Sequence, residues 1–289
     1  MRSESEMLEL ILGYARDDEN VRAVVLNGSR ANPSVKKDPF QDFDVVYLAR
    51  SVAPLVRNID LVKYFGEILI MQTPEDMRDP PADHISHYSY LMQFVDGNRI
   101  DLSIYSLTDS DRALEDTPAI VLMDKDGVIR EPPHSSEASF VIQEPTAKPF
   151  EDCCNEFWWL NPYVAKGLWR DELTYTRYML DTLMRGELLK MLTWYCGATT
   201  EFHVRPGKLG RYLKEHLEAD IWALLERTYS DHQPESTWEA LFVMGELFRR
   251  TARKVASTFG LAYPEEDDQR VSNYIRHIKD LPRDALTSF

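Results

Sequence analysis

The stretch VRAVVLNGSRANPSVKKDPFQDFDVVYL, residues 21–48, decides how the first half of this chain folds. It opens with a mostly apolar run, 21–27, which predicts a buried β-strand. A Gly-Ser-Arg turn at 28–30 follows, and a polar loop then leads into a second strand. Asp42 and Asp44 lie two residues apart at the start of that second strand. Because side chains alternate along a strand, both carboxylates share one face.

A third carboxylate lies further along the chain, in a predicted hairpin. Two apolar runs, 88–95 and 99–107, flank an Asp-Gly pair, which is a strong hairpin signal. The second run carries Asp101 among apolar neighbours. Three carboxylates on strands of one sheet are costly unless a cation pairs them, and magnesium prefers oxygen ligands. We therefore expect Asp42, Asp44 and Asp101 to bind Mg²⁺.

These carboxylates and the turn together favour nucleotidyl transfer, in which a nucleoside monophosphate passes from a triphosphate to a hydroxyl. Backbone N–H groups of Gly28 and Ser29 are candidates to hold a phosphate. Arg30 either reaches a phosphate or anchors the turn. Asp101 either completes the metal shell or acts as the general base, and the spacing does not separate these roles. Each feature alone also fits an ordinary strand with a solvated face, but their combination favours the transfer reaction.

Composition narrows the class of protein. The chain has 289 residues, 44% of them hydrophobic and 28% charged, which fits a folded globular protein. Its net charge of −15 disfavours nucleic acid as a partner. No apolar run approaches the roughly 20 residues of a membrane span, and the N-terminus does not resemble a signal peptide. We expect a cytoplasmic protein without a membrane partner, whose three cysteines are reduced, buried thiols.

After about residue 150 the hydrophobic period changes from that of strands to that of helices. Six helices are predicted, at 150–166, 172–196, 209–218, 221–227, 238–259 and 268–278. The predicted fold class is α+β: an N-terminal domain with a mixed β-sheet flanked by helices, followed by a C-terminal α-helical bundle. We place the first domain at 1–135, a linker at 136–149 in a proline-rich stretch, and the helical domain at 150–289.

The apolar strand, the Gly-Ser turn and the three aspartates resemble the DNA polymerase β-like nucleotidyltransferase superfamily. More closely, the chain resembles the aminoglycoside 6-adenylyltransferases, which modify streptomycin. The resemblance covers nearly the whole chain. It is carried by LNGSR at 26–30, QDFD at 41–44, GNRIDL at 97–102, MDKD at 123–126, DCCNEFWW at 152–159, YVAKGL at 163–168 and LLKMLTW at 188–194.

This resemblance implies transfer of AMP from ATP to the 6-hydroxyl of streptomycin with magnesium, which gives antibiotic resistance. It assigns Asp42 and Asp44 to the metal-binding pair and Asp101 to the third carboxylate, often the base in related enzymes. The stretches 33–40 and 108–145 vary too much for any functional residue there to be assigned.

Two groups in the helical domain are candidates for binding the substrates. Asp152, Glu156 and Trp159 follow at steps of four and three residues, which places them on one helix face. Two acids beside an indole suit a cationic, guanidinium-bearing aminoglycoside such as streptomycin. An ordinary helix with this tryptophan in the core would show the same spacing. Lys208, in a basic segment before a predicted helix, is a candidate for the ATP phosphates or a solvated lysine.

Two alternatives keep part of this prediction. One retains the transfer chemistry but changes the acceptor to another aminoglycoside, a lincosamide or a metabolite. The other is a non-catalytic nucleotide-binding regulator. A binding module has no need of Asp101, so the presence of all three carboxylates favours the enzyme.

Overall fold

The computed structural model describes residues 1–33, 35–80, 82, 84–113, 118–129, 142–204 and 206–287. The chain divides into two compact units, Met1–Ser139 and Phe140–Phe289. The first unit contains a mixed β-sheet with flanking helices and the second is helical, so the predicted fold class is confirmed. The domain limits themselves stay a prediction, and much of the expected linker, 136–141, lies outside the described residues.

Six strands form the sheet of the first unit, in the order β3-β4-β5-β2-β1-β6. They are β1 (Val21–Asn27), β2 (Phe43–Ala49), β3 (Ile68–Gln72), β4 (His87–Phe94), β5 (Arg99–Ser106) and β6 (Ala119–Asp124). Among the described strands, β2 and β5 pair in parallel and the other neighbours pair antiparallel. The predicted hairpin is confirmed as β4 and β5. Sequence analysis missed β6, which pairs with β1 across a long separation in the chain.

Helices pack against both faces of this sheet, and each face carries a buried apolar cluster. They are α1 (Glu4–Asp17), α2 (Gly28–Ala31), α3 (Ile59–Phe65) and α4 (Ser110–Ala113). Ser3 and Glu6 cap α1 reciprocally, as its sequence predicts. Met7 and Ile11 of α1 belong to the same buried cluster as Phe43 of β2. Because side chains alternate along β2 and β5, the aspartates of these strands lie on the opposite face.

Residues 54–61, whose sequence predicts one short helix, do not form a single element. A 3₁₀ turn, Ala53–Leu55, precedes a separate helix that begins after Asn58. The Asn58 side chain accepts hydrogen bonds from the backbone N–H groups of Asp60 and Leu61. This N-cap starts a new helix inside the stretch 54–61, which the prediction treated as one helix.

The second unit is built from helices around an aromatic core. They are α5 (Ala147–Arg170), α6 (Leu173–Tyr178), α7 (Arg185–Thr200), α8 (Leu213–His216), α9 (Ala219–Arg227), α10 (Pro234–Phe259) and α11 (Glu265–Asp280). A π-helical segment, Met179–Met184, joins α6 to α7, so the predicted helix at 172–196 changes its hydrogen-bonding pattern midway. Phe157 and Phe248 stack in the core with ring centroids 3.7 Å apart.

The single helix predicted at 209–218 is wrong. The chain forms a 3₁₀ turn, Lys208–Gly210, and then the short α8. Gly207 and Gly210 have φ of +71° and +75°, and Leu209 lies at +55° in the same region. These left-handed conformations interrupt helical hydrogen bonding, because an α-helix requires negative φ throughout.

The three cysteines are buried free thiols, as expected. In the described ranges, no helix combines the length and apolarity that crossing a membrane requires.

A buried ion pair fixes α11 to α10. Asp268 is 2% exposed. It accepts hydrogen bonds from the Arg249 Nε and Nη2 atoms at 2.5 and 2.6 Å, the Tyr263 hydroxyl at 2.8 Å and the Ser272 hydroxyl at 3.0 Å. Burial by itself raises the pKa of Asp268, but hydrogen bonds from Arg249 and Tyr263 outweigh it and lower the pKa below 3.8.

We expect Arg249→Met to lower the free energy of unfolding by about 3 kcal/mol, because it leaves a buried carboxylate without its countercharge. Urea unfolding at pH 7 measures this loss. Arg270→Met is the matched control, since Arg270 forms an exposed pair with Glu266 on α11 and should leave stability unchanged. Equal effects of the two substitutions would contradict a structural role for the buried pair.

The same pair predicts an acid dependence of stability. A carboxyl group whose pKa is lower in the folded state stabilises the fold above its unfolded pKa, and that contribution disappears as the pH falls. We therefore expect the free energies of unfolding of wild type and Asp268→Asn, measured from pH 7 to pH 3, to approach each other as the pH drops below about 4. A difference between them that stays constant over this range would contradict the prediction.

Candidate active site

The parallel pairing of β2 with β5 brings two of the predicted aspartates side by side. Asp44 of β2 is in register with Asp101 of β5. On the other side of β2, Asp44 is in register with Asn27, the last residue of β1. The three strands therefore place Asn27, Asp44 and Asp101 in one row across the sheet, at the end where β1 leads into the Gly-Ser turn.

Asp42 is positioned by the residue that follows this turn. The Arg30 guanidinium donates from Nε to the Asp42 carbonyl at 3.1 Å and from Nη2 to the Gln41 carbonyl at 2.8 Å. It also lies over the Phe43 ring, 3.8 Å from the centroid. The Arg30 side chain is only 10% exposed. This geometry favours the role of a turn anchor that holds Asp42 in place over that of a phosphate ligand.

Arg99 was quoted in a motif but given no role by sequence analysis, and the structure places it among the three carboxylates. Its Nε and Nη2 atoms donate to both oxygens of Asp101, at 2.7 and 2.8 Å. The same Nε lies 3.7 Å from Asp42 Oδ2. The signal for this contact is the two-residue spacing of Arg99 and Asp101 on one strand, which puts both side chains on the same face.

The site has more negative charge than its own cations balance. Burial, together with repulsion from Asp101 and Asp42, raises the pKa of Asp44 to about 6. Burial also raises the pKa of Asp42, against the opposing attraction of Arg99. Crowded carboxylates behave in this way when too little positive charge lies nearby. A bound divalent cation would relieve the repulsion.

Gly28 allows the turn to approach Asp44. It has a φ of +72°, and an added Cβ atom would overlap the Asp44 carboxylate, lying 2.8 Å from its Cγ. Glycine therefore meets two requirements here, a left-handed backbone and the close passage of an acidic side chain.

Two buried oxygen atoms beside the carboxylates accept no hydrogen bond within the described residues: Asn27 Oδ1 and Gln41 Oε1. Asn27 is the register neighbour of Asp44, and Gln41 directly precedes Asp42. Buried polar atoms without partners are uncommon in folded proteins and often mark the position of an ion or ligand. Sequence analysis missed both, since nothing in their spacing distinguishes them.

The oxygen-rich donor set and the excess negative charge fit a magnesium ion. Among the described residues, no three or more histidine, cysteine, aspartate or glutamate side chains are already arranged to hold a metal. The Asp101 carboxylate instead holds the guanidinium of Arg99. The metal role of Asp42, Asp44 and Asp101 therefore stays a prediction, and Arg99 must be accounted for in it.

In the second unit, the three candidate residues of α5 form an exposed face. Asp152, Glu156 and Trp159 are all exposed, and the Trp159 side chain is 60% exposed, whereas the neighbouring Trp158 is buried in the core. The alternative that placed Trp159 in the core is therefore wrong. Asp152 forms an ion pair with Lys148 one turn earlier. The Trp159 ring packs edge-on against Tyr163 at 6.1 Å.

Lys208 is exposed at the start of the 3₁₀ turn. No regular helix follows it directly, so Lys208 and Lys214 do not lie on one helix face. Lys214 instead lies over the Trp222 ring at 5.5 Å. The predicted role of Lys208 in binding phosphate stays a prediction.

Comparison with known proteins shows which family the sequence of this chain resembles. A family model described as streptomycin adenylyltransferase matches residues 1–278. The chain is 34% identical over 270 residues to an aminoglycoside 6-adenylyltransferase of Bacillus subtilis (strain 168), covering 93% of this chain and 95% of that protein. It is 36% identical over 276 residues to an aminoglycoside 6-adenylyltransferase of Campylobacter jejuni, covering 95% of each. A crystal structure of an aminoglycoside 6-adenyltransferase from Bacillus subtilis aligns with a TM-score of 0.48 at 31% identity, covering 97% of this chain and 100% of that one.

We expect Gly28→Ala to destabilise the protein more than Gly127→Ala. Both glycines have positive φ, so each substitution imposes a backbone strain of about 1 to 2 kcal/mol. Nothing lies within 4 Å of the Cβ position at Gly127, whereas at Gly28 the overlap with Asp44 adds about 1 to 3 kcal/mol. Urea unfolding of both variants measures the difference. Equal losses would show that the turn does not press against Asp44.

Proposed function

This chain belongs to the streptomycin adenylyltransferase family, and from that membership and its carboxylate site we propose that it transfers AMP from ATP to the 6-hydroxyl of streptomycin, releasing pyrophosphate. The observation that carries the proposal is the register of Asp44 with Asp101, next to Asp42 and the Gly-Ser turn. Curated relatives with the name aminoglycoside 6-adenylyltransferase support it. We place the activity in the cytoplasm, where ATP is available, with aminoglycoside resistance as its result.

In the proposed reaction, the acceptor oxygen attacks the α-phosphorus of ATP in line with the departing pyrophosphate. The new bond joins that oxygen to the α-phosphorus, and the bond from the α-phosphorus to the bridging oxygen breaks. Pyrophosphate leaves with the electron pair, and the proton of the acceptor hydroxyl passes to Asp101. Magnesium would supply the positive charge that stabilises the triphosphate and the developing charge on the pyrophosphate.

We assign the binding of metal and phosphate and the transfer of the proton to residues of the first unit. Asp42 and Asp44, with Asp101 as the third carboxylate, would hold the magnesium through their carboxylate oxygens. Backbone N–H groups of Gly28 and Ser29 would donate to phosphate oxygens, and the close approach of their turn to Asp44 supports this assignment. Arg30 supports this arrangement by holding the backbone carbonyls of the segment that carries Asp42. Asp101 takes the proton once its carboxylate is free of Arg99.

The exposed face of α5 is proposed to recognise the acceptor. Streptomycin is cationic, and no cationic side chain among the described residues pairs with Glu156, so its carboxylate is available for charge-assisted hydrogen bonds. Trp159 presents an exposed indole ring suited to cation–π contact with a guanidinium group. Asp152 contributes less, because Lys148 already neutralises it.

Release of pyrophosphate from ATP and Mg²⁺, with and without streptomycin, tests the reaction. We expect release that depends on streptomycin, its abolition in Asp42→Asn and Asp44→Asn, and a loss of at least about 100-fold in Asp101→Asn. Asp60→Asn, at an exposed position on α3, is the control and should leave turnover unchanged.

The outcomes separate the alternatives. Release with another aminoglycoside, a lincosamide or a metabolite, but not with streptomycin, would keep the chemistry and change the acceptor. Binding of ATP without release for any acceptor would favour the non-catalytic regulator. Near-normal turnover in Asp42→Asn or Asp44→Asn would contradict their assignment to the metal.

We expect Glu156→Gln and Trp159→Ala each to raise the KM for streptomycin about tenfold while leaving the KM for ATP unchanged, because each removes one contact to the cationic acceptor. Steady-state kinetics with each substrate varied separately measures this. Glu151→Gln alters an exposed carboxylate on a different face of the same helix and should change neither KM. If the KM for ATP rises instead, the α5 face contacts the nucleotide.

A further inference from the structure

Arg99 occupies the position among the carboxylates where a cation is needed. Its planar guanidinium forms two parallel hydrogen bonds with Asp101, and its Nε is the positively charged group 3.7 Å from Asp42. In this bidentate arrangement both oxygens of Asp101 face the guanidinium. Asp101 cannot present them in the same way to a metal ion or to an acceptor hydroxyl while Arg99 remains there.

The surroundings of Arg99 permit it to leave. It is the first residue of β5, directly after the hairpin turn, and its side chain is 39% exposed. Its guanidinium has no other resolved hydrogen-bond acceptor besides Asp101 among the described residues. Arg22, by contrast, is 8% exposed and bonds to Asp126 and to both the backbone and the side chain of Glu19. Among the described residues, Asp101 is therefore the one group that holds the Arg99 guanidinium by hydrogen bonds.

We propose that Arg99 is an internal countercation that holds Asp101 in the metal-free protein and is displaced from it when a divalent cation binds. The inference rests on the proposed metal-dependent transfer. Arg99 and the metal compete for the same carboxylate, so Arg99 sets the metal concentration at which the site is loaded. It acts through Asp101 and is thus a positioning residue. The guanidinium also keeps the crowded carboxylates compatible with the fold until the metal arrives.

Titration of the full-length protein with Mn²⁺ alone, without nucleotide or aminoglycoside, tests this competition. Electron paramagnetic resonance of the free ion gives the dissociation constant. We expect Arg99→Gln to bind Mn²⁺ about tenfold more tightly than wild type, since a competing charge and its hydrogen bonds are removed. Arg99→Lys keeps the charge but loses the two-point contact, and should fall between them. In thermal unfolding with EDTA, we expect Arg99→Gln to melt at a lower temperature than wild type. Addition of Mn²⁺ should raise the melting temperature of Arg99→Gln more than that of wild type.

Arg57→Gln is the matched control. Arg57 makes the same two-point contact with a carboxylate of the first unit, Asp76, through Nε and Nη2. Its removal should leave Mn²⁺ affinity unchanged. In an Asp101→Asn background, removing Arg99 should give a smaller gain in affinity than it does in wild type, because the contested carboxylate is gone.

Each result decides the inference. Unchanged or weaker Mn²⁺ binding in both Arg99→Gln and Arg99→Lys would overturn it, as would the absence of Mn²⁺ binding in every variant. The proposed function is judged separately by pyrophosphate release. A protein that is active with streptomycin but shows no effect of Arg99 on metal affinity retains the function and loses the inference. A protein that is inactive on every acceptor but binds Mn²⁺ more tightly without Arg99 retains the inference and loses the function.

Discussion

Repulsion between Asp44 and Asp101 is the constraint on which the site in the first unit depends. The parallel register of β2 and β5 forces the two carboxylates together on one face of a sheet whose other face is covered by the buried cluster around α1. Such a contact costs free energy, and it persists because the surrounding sheet is well packed. Three neighbouring features are related to this repulsion. Gly28 allows the turn to come close, and Arg99 supplies positive charge. Burial and the remaining repulsion from Asp101 and Asp42 raise the pKa of Asp44.

The two arginines near the site illustrate how similar residues take different roles. Arg30 is buried over an aromatic ring and bonded to backbone carbonyls, so its charge is used to fix the shape of a loop. Arg99 is partly exposed and bonded to a carboxylate side chain, so its charge acts on the chemistry of the site. The difference follows from the partners: carbonyls of a fixed backbone hold a guanidinium permanently, whereas a carboxylate also attracts other cations.

The alternation of residues in β2 was enough to predict that Asp42 and Asp44 share a face, and the Asp-Gly pair was enough to predict the β4–β5 hairpin. Both signals are local. The register that sets Asp101 beside Asp44 depends on the pairing of distant strands, which one sequence does not encode in any short pattern. The same limit explains the missed strand β6. The contact of Arg99 with Asp101, by contrast, has a local signal in their two-residue spacing on one strand. The false helix at 209–218 has a different cause, since apolar spacing there resembled a helix while two glycines turned the backbone out of it. In the helical unit, spacing placed Trp159 on a face with two acids, but only packing could show that Trp158, and not Trp159, enters the core.

The parallel pairing of β2 with β5 also bears on the order in which the protein acquires its site during synthesis. Asp44 leaves the ribosome well before Asp101, and α3, β3 and β4 must be made before β5 can take its place beside β2. Contacts between distant segments form late, because closing the intervening chain costs entropy. A nascent chain that ends before β5 carries Asp42 and Asp44 without their third carboxylate or Arg99. The cluster of three carboxylates therefore comes into existence only when the central part of the sheet is complete, and a chain truncated before that point does not contain it.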